Sequence, residues 1–512
     1  MRRSLFILLA VLLFPGSASA ASVIVLDHHG HASRRTDPFL SGPAITPPPA
    51  GVAADAGPPL ALGEHTARAT ASSGGASAGG SGKTGKPTKR KKPKKPEITF
   101  LSELARLYRA HQLTAAQYRG DTAAYNSALR TERKLRGTRR AELTAVTVTL
   151  HDIAAGHQLT VSRLPALMAT LAANQQWWTH GPLLASGQRV EFAGSELVWE
   201  YYPGQGIQLQ VLGTFGKADG LFSAGPADYP QMEQVLSEMI PLAARRAGGL
   251  TWEYYFRFDG GAPPWTSAMS QATGLEALGR AYQATRDPTY LNVGTAALPV
   301  FNVAPPVGVN VKTGAGTRFL QYTFAPGADI INAFLQTLIG LYDFAQVSGN
   351  QTAAQLFAAG NAQAQAELPL FDTGAWSLYQ PGIEDTLDYH QLVTGFLQQL
   401  CARTDAPVYC TTAEHFQAYL TTPPTLAQVT QKVRDKASFA LRFRLSKISH
   451  VGAVVSNADG TTMFATSASF GYGAGSFTVP RIKKPGTYGV VLTATDLAGN
   501  FARITGSLQV TS

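Results

Sequence analysis

The stretch FDTGAWSLYQPGIEDTLDYHQLVTGFLQQL, residues 371–400, decides how this chain is read. Its first half, FDTGAWSLYQPG, is turn-rich and carries Trp376 and Tyr379. From about residue 385, apolar side chains recur at helical spacing: Tyr389, Val393, Phe396, Leu397 and Leu400. Asp388, Tyr389 and His390 therefore fall in the first turn of a helix, next to the positive end of its dipole. A loop bearing a tyrosine runs straight into a helix start bearing Asp, Tyr and His, so short connections gather several proton-handling groups. Taken singly, each of these aromatic residues is equally read as a packed, hydrogen-bonded side chain.

Working outward, helical patterns recur around this stretch. They cover about 229–248, 267–286, 288–302, 327–347, 353–368, 386–404 and 412–421, with glycine- and aromatic-rich loops such as TWEYYFRFDGGAPPW between them. Amphipathic segments also precede these, in ITFLSELARLYRAHQLTAAQYRGDTAAYNSALR and SRLPALMATLAANQQWW. Short strands are expected between Val190 and Tyr202, closed by the turn Pro203-Gly204-Gln205-Gly206. No short sequence unit repeats as in a solenoid. A run of helices joined by long loops suggests an (α/α) toroid or a helical array. From about Ala437, alternating segments such as FALRFRL and GTYGVVLTATDLAGN, broken by Gly, Asn and Pro, read as a small β-sandwich.

At 512 residues the chain exceeds one compact core, and its 45% hydrophobic content is ordinary for a globular protein. Residues 1–20 are read as a signal peptide: Arg2 and Arg3 lead, Leu5 to Phe14 form the apolar centre, and Ala18-Ser19-Ala20 is the cleavage site. That centre is too short for a permanent anchor, and no later segment is apolar for long enough to span a bilayer. The expected location is secreted or extracellular, with cell-wall association an alternative. Residues 21–97, rich in Ala, Gly, Pro, Ser and Thr, are expected to be a disordered linker. Lys83, Lys86, Lys89, Arg90, Lys91, Lys92, Lys94 and Lys95 hold eight of the ten net positive charges. This run alternates with proline and lacks aromatic residues for base stacking, so nucleic acid is not the expected partner. It reads as a solvated tether, or as a weak hold on an anionic envelope. The two cysteines, Cys401 and Cys410, lie in CARTDAPVYC. In an oxidising compartment they are expected to form a disulfide; the rival reading, a metal pair, lacks further ligands nearby.

Four stretches resemble the C-terminal catalytic domain of the D-glucuronyl C5-epimerases, the heparosan-glucuronate 5-epimerase family. They are YYPGQGIQLQVLGTFGKA, FRFDGGAPPWTSAMSQATGLEALGRAY, FLQYTFAPGADIINAFLQTLIGLYDF and FDTGAWSLYQPGIEDTLDYHQL. The resemblance spans roughly residues 97–421 and leaves out the linker and the final sandwich. It implies a mainly α protein with an (α/α) toroid and short β elements over 98–430; the alternating segments that follow read, independently of it, as a small Ig-like β-sandwich over 431–512.

Inverting C5 of a hexuronic acid needs a base for the C5 proton and an acid on the opposite face. It also needs groups that offset the charge developing next to the sugar carboxylate. The resemblance assigns the catalytic positions to Tyr322, Tyr379 and Tyr389. A phenol suits either face, although its free pKa of about 10 must fall before it serves as base. Asp388, His390, Arg257, Glu253, Asn332 and Gln271 are the expected substrate-binding set. His390 is placed there to orient Tyr389 or pair with the substrate carboxylate, and Arg257 to grip that carboxylate as a fork. For each, a structural hydrogen bond or surface ion pair is the competing reading. Two departures stand out. Gln321 replaces the glutamate that the family carries before the tyrosine matching Tyr322, and Gln380-Pro381-Gly382 replaces a YDLR-type run after Tyr379.

The expected partner is an acidic polysaccharide, and the chemistry calls for no cofactor or metal. A uronate lyase, a non-catalytic glycan binder and a glycoside hydrolase are the alternatives. The last draws its carboxylates from Glu253, Glu384, Asp385 and Asp388.

Overall fold

The computed structural model describes residues 21–39 and 98–512. The expected signal peptide and the lysine-rich run lie outside these residues. Helix α1 (Phe100–Arg109), α2 (Ala115–Lys134), α3 (Gly137–Ala155) and α4 (Leu164–His180) form an opening bundle. Thr99 and Ser102 close a capping box at the start of α1, and Thr114 and Gln117 do so at α2. Two orphan backbone donors are satisfied reciprocally at each.

A five-stranded sheet follows this bundle, in the order β2-β1-β3-β4-β5. Its strands are β1 (Ala21–Leu26), β2 (Ala32–Asp37), β3 (Arg189–Phe192), β4 (Trp199–Tyr202) and β5 (Gly206–Leu209). Residues 21–39 are thus not linker. Strand β1 pairs in parallel with β3, Val23 opposite Arg189, and antiparallel with β2. The segment SVIVL offers the β-branched run that a sheet takes up. Lys217, fully buried, ties the hairpin down by meeting Asp37 at 3.6 Å, Glu191 at 2.9 Å and Glu196 at 2.6 Å. The Pro-Gly-Gln-Gly turn joins β4 to β5 with Gly204 and Gly206 at positive φ. Glu142 of α3 holds it by accepting from Gly204 N at 3.0 Å and Gly206 N at 2.9 Å.

Four helical hairpins follow: α5 (Val211–Ala224) with α6 (Tyr229–Met239), α7 (Ala268–Thr285) with α8 (Pro288–Ala297), α9 (Ile331–Ser348) with α10 (Gln351–Glu367), and α11 (Leu387–Thr404) with α12 (Pro407–Tyr419). The first helices of successive pairs pack side by side, α5 on α7, α7 on α9 and α9 on α11, and each pairs with the helix that follows it. The helix expected to reach residue 248 stops at Met239, where Pro241 removes a donor and a short hairpin takes over. That hairpin is β6 (Ala244–Arg246) and β7 (Gly249–Thr251). Two more sit between helices: β8 (Asn310–Lys312) with β9 (Thr317–Phe319), and β10 (Leu378–Gln380) with β11 (Ile383–Glu384). Cys401 and Cys410 form the expected disulfide, joining the end of α11 to α12.

The C-terminal region has its own core. One sheet orders β12 (Leu426–Gln428), β14 (Phe439–Leu445) and β17 (Gly473–Val479). The other orders β13 (Lys432–Arg434), β19 (Phe501–Thr511), β18 (Gly486–Asp496), β15 (Ser449–Ser456) and β16 (Thr462–Phe470). Leu441 and Phe443 of the first sheet share a core with Val451, Val455, Val490 and Leu492 of the second. The alternation read in the sequence is the alternation between buried and exposed faces along β14 and β18. Among the described residues no helix is long and apolar enough to cross a membrane.

Candidate active site

The site is built on an aromatic floor between β7 and α7. Tyr254 and Trp265 exchange backbone hydrogen bonds at 2.8 and 3.2 Å. Phe258 and Gly261 do the same around a tight turn whose central residues, Asp259 and Gly260, have φ of 43° and 80°. Asp-Gly suits such a turn because both positions need the left-handed region. Phe258, Trp265, Phe324 and Tyr322 form a continuous ring cluster, with centroids 5.3 to 5.8 Å apart. Gly261 lets Phe324 close in, since a Cβ there would run into the phenyl ring.

Onto this floor two other elements bring their phenols. Tyr379 lies on β10 and Tyr389 in the first turn of α11, and their rings meet edge to face, centroids 5.3 Å apart at 79°. The Tyr379 hydroxyl hydrogen-bonds Tyr322. Three tyrosines from separate parts of the chain therefore meet in one cluster. Tyr322 and Tyr379 are almost fully buried, whereas Tyr389 is half-buried. Burial pushes the Tyr322 and Tyr379 phenols above their usual range; Tyr379 and Tyr389 push Tyr322 further, and Tyr389 pushes Tyr379 further while Tyr322 opposes it. Both are accordingly protonated at neutral pH and poised to donate. Asp259, exposed at the tip of its turn, bears on both through space and raises them as well. The sequence reading passed over Asp259; its signal was the Asp-Gly dipeptide inside FRFDGG.

Behind the phenols lies a buried support. Trp376 stacks on His390, centroids 3.7 Å apart and planes within 9°. His390 Nε2 lies 2.9 Å from the Phe416 carbonyl, which can only accept, so that nitrogen carries the hydrogen. Nδ1 then accepts from Ser377, whose Oγ is at 2.7 Å and whose N is at 3.3 Å. Ser377 Oγ is also 2.5 Å from Asp385 Oδ2. Burial pushes the Asp385 carboxyl up to about 7, the Ser377 hydrogen bond opposing and Glu384 adding. Burial lowers His390 to about 4, leaving it neutral at pH 7. Trp376 Nε1 donates to the Asp385 carbonyl at 2.9 Å and closes the unit.

Residues 248–418 match the family model described as the D-glucuronyl C5-epimerase C-terminus. The chain is 30% identical over 178 residues to the D-glucuronyl C5-epimerase of Caenorhabditis elegans, covering 31% of this chain and 29% of that protein. Over these residues the chain is similar to the C-terminal part of the D-glucuronyl C5-epimerases. An uncharacterized protein of Methanocaldococcus jannaschii is 31% identical over 137 residues, 25% of this chain and 44% of that one. The chain thus spans less than half the length of either relative. Among solved structures, a cellobiose 2-epimerase from Bacillus thermoamylovorans superposes with a TM-score of 0.33 at 11% identity, covering 51% of this chain and 73% of that one. Likeness at that level fixes neither fold nor activity.

Within this matched region, several expected substrate ligands turn out to be committed elsewhere. His390 is fully buried, neutral, and has both ring nitrogens engaged by protein, so it supports the loop and does not meet a substrate carboxylate. Glu253 is gripped by Arg163 at 2.7 and 2.8 Å, by Arg246 at 2.8 Å and by the Tyr255 hydroxyl at 2.9 Å. Burial pushes its carboxyl up, but the two guanidinium groups outweigh that and hold it below the usual range. Arg257 points to solvent and pairs with Asp152 at 3.0 Å, the surface ion pair that was the competing reading. Gln271 clamps the backbone of Trp252, accepting from its N at 3.0 Å and donating to its O at 2.8 Å. Two expected ligands are not tied up in this way. Asp388 is exposed in the first turn of α11, and Asn332, buried at the start of α9, has an Oδ1 with no hydrogen-bond partner among the described residues.

The departure at Gln321 has a structural expression. Its Oε1 accepts from Ser267 Oγ at 3.1 Å, at the N-cap of α7, and its amide hydrogen-bonds Tyr322 and lowers that phenol's pKa. Of the carboxylates weighed for a hydrolase, Glu253 is saturated by arginines, Glu384 accepts two backbone N–H groups, and Asp385 is buried.

Proposed function

We propose that this chain is a uronosyl C5-epimerase acting on a uronate-containing polysaccharide. The observation that carries the reading is the meeting of Tyr322, Tyr379 and Tyr389 in one cluster within the region matched by the epimerase model. Removal of the C5 proton leaves an electron pair delocalised into the sugar carboxylate; delivery of a proton to the other face completes inversion. Tyr389, half-buried beside protonated Tyr379, faces one side of the sugar. Tyr322 and Tyr379 supply protons and hydrogen bonds to the charge that develops. With Gln321 unable to take a proton, Tyr389 is the group that receives the C5 proton, while Asp259 helps to keep Tyr322 and Tyr379 protonated as donors. Asn332 and Asp388 line the approach of the glycan.

In this reading the helical hairpins, completed by α1–α4, close into an (α/α) toroid over 98–430, and 431–512 is an Ig-like sandwich. Arg2, Arg3, the apolar residues 5–14 and the Ala-Ser-Ala site support export, and the basic run supports a weak envelope contact. The Cys401–Cys410 disulfide is in keeping with an oxidising compartment.

The test is incubation with glucuronate- or iduronate-containing glycans in heavy water, following deuterium at C5. Incorporation without an unsaturated, ultraviolet-absorbing product supports the epimerase. Unsaturated product identifies a lyase, and binding without exchange identifies a glycan-binding protein.

A further inference from the structure

The family match stops at residue 418, yet the C-terminal β domain reaches back to the phenol cluster. Lys447, between β14 and β15, is 1% exposed. Its ammonium pairs with Asp496 at 2.5 Å and donates to the Tyr419 carbonyl at 2.7 Å and the Thr422 carbonyl at 2.5 Å. It also lies 5.2 Å from the centre of the Trp376 ring, whose π face attracts a cation. On the phenol side, Trp376 stacks against His390, the residue after Tyr389, and Tyr379 follows three residues after Trp376. A second tie runs through Glu384, which closes the β10–β11 hairpin bearing Tyr379. Its carboxylate accepts from Ile448 N at 2.8 Å and Tyr472 N at 2.7 Å. A third joins Asn500 Nδ2 to the Leu420 carbonyl at 2.9 Å.

The Trp376 and Glu384 contacts converge on residues 376–384, and the carbonyl contacts hold the end of α12 beside them. A small domain held only as a spacer has no need to bury a lysine against the back of a catalytic loop. We propose that the β domain is an integral part of the catalytic unit, with Lys447 and Glu384 as positioning residues that fix Tyr379 and Tyr389 through the Trp376–His390 stack and the β10–β11 hairpin. This rests on the epimerase reading for its effect on turnover, but not for its effect on geometry.

Two arms test it on the full chain. The first needs no substrate: tyrosine ¹³Cζ resonances of Tyr379 and Tyr389 are compared in wild type, Lys447→Met and the surface control Lys483→Met. Both resonances are expected to move in Lys447→Met and stay in the control, with circular dichroism unchanged. Resonances identical to wild type in folded Lys447→Met overturn the inference. The second arm follows deuterium exchange at C5, where kcat is expected to fall roughly tenfold to a hundredfold with KM within about twofold. Unchanged kcat overturns it. Should Lys447→Met not fold, Glu384→Gln, which leaves the Lys447 ion pair intact, gives the same two readouts. If wild type exchanges no deuterium, the epimerase reading fails and the resonance arm alone decides the inference.

Discussion

Tyr379 and Tyr389 meet edge to face, ring centroids 5.3 Å apart, although one comes from a two-residue-turn hairpin and the other from the first turn of a helix. The segment between them is what holds the two phenols in register. Behind it Trp376 stacks on His390, and Ser377 hydrogen-bonds both His390 and Asp385.

If these phenols move protons, removing one hydroxyl removes the step and little else. Tyr389→Phe and Tyr379→Phe should each lower C5 deuterium exchange by about 10²–10⁴-fold, the usual worth of a general acid or base. Thermal melting checks that the fold survives; retained exchange in both variants sinks the assignment.

Asp259 sits at a solvent-facing turn and bears electrostatically on Tyr322 and Tyr379. Asp259→Asn keeps the turn, because asparagine also accepts positive φ. Without that charge the Tyr322 and Tyr379 phenols should titrate at lower pH, followed by ultraviolet difference absorbance, while Tm stays within the scatter of surface substitutions. An unchanged phenol titration would show that Asp259 does not reach the cluster.

Glu253 is the shared counter-charge of Arg163 and Arg246. Glu253→Gln leaves two nearly buried guanidinium groups without their carboxylate, at a cost of about 3–5 kcal/mol. Urea denaturation measures it. A loss below about 1 kcal/mol would mean that solvent reaches the cluster.

Asp385 and His390 give opposite pH dependences. Asp385 is raised from 3.8 to about 7, so its folded form prefers the proton. Its contribution is present below pH 3.8 and is lost as pH rises through 7. Asp385→Asn, which mimics the protonated carboxyl, should therefore be more stable than wild type at pH 8 by about 1–2 kcal/mol, with the gap closing toward pH 5.

His390 is lowered from 6.5 to about 4, so its folded form prefers to be neutral. Its contribution is complete above pH 6.5 and is lost as pH falls toward 4, amounting to about 3 kcal/mol. Measured in the Asp385→Asn background, where the opposing carboxyl is silent, unfolding free energy should fall by that order between pH 7 and pH 4. Adding His390→Phe should flatten the slope.

Helical periodicity was legible wherever one face of a helix is buried, which is why α7, α9, α10 and α11 fall close to their expected spans. Alternation likewise marked the C-terminal strands. Local pattern failed where a tertiary partner decides the outcome. The SVIVL strand sits in a segment of linker-like composition and needs β3 beside it to become part of a sheet. Residue type alone nominated Glu253, Arg257, Gln271 and His390 as substrate ligands, because a carboxylate, a fork or an imidazole reads the same whether its partner is a sugar or the protein. Asp259 escaped notice because its reach toward Tyr322 and Tyr379 depends on a turn's handedness.

The linear chain by itself determined the elements, the disulfide pair and the three tyrosines, since each is written in spacing, pairing or motif. Only the tertiary structure decided which polar groups face the phenol cluster and which are spent inside the protein, and that the β domain braces the phenols. Burial and hydrogen-bond partners are set by residues tens of positions apart or more, as with Arg163 and Glu253 or Glu384 and Ile448, and no local pattern encodes them.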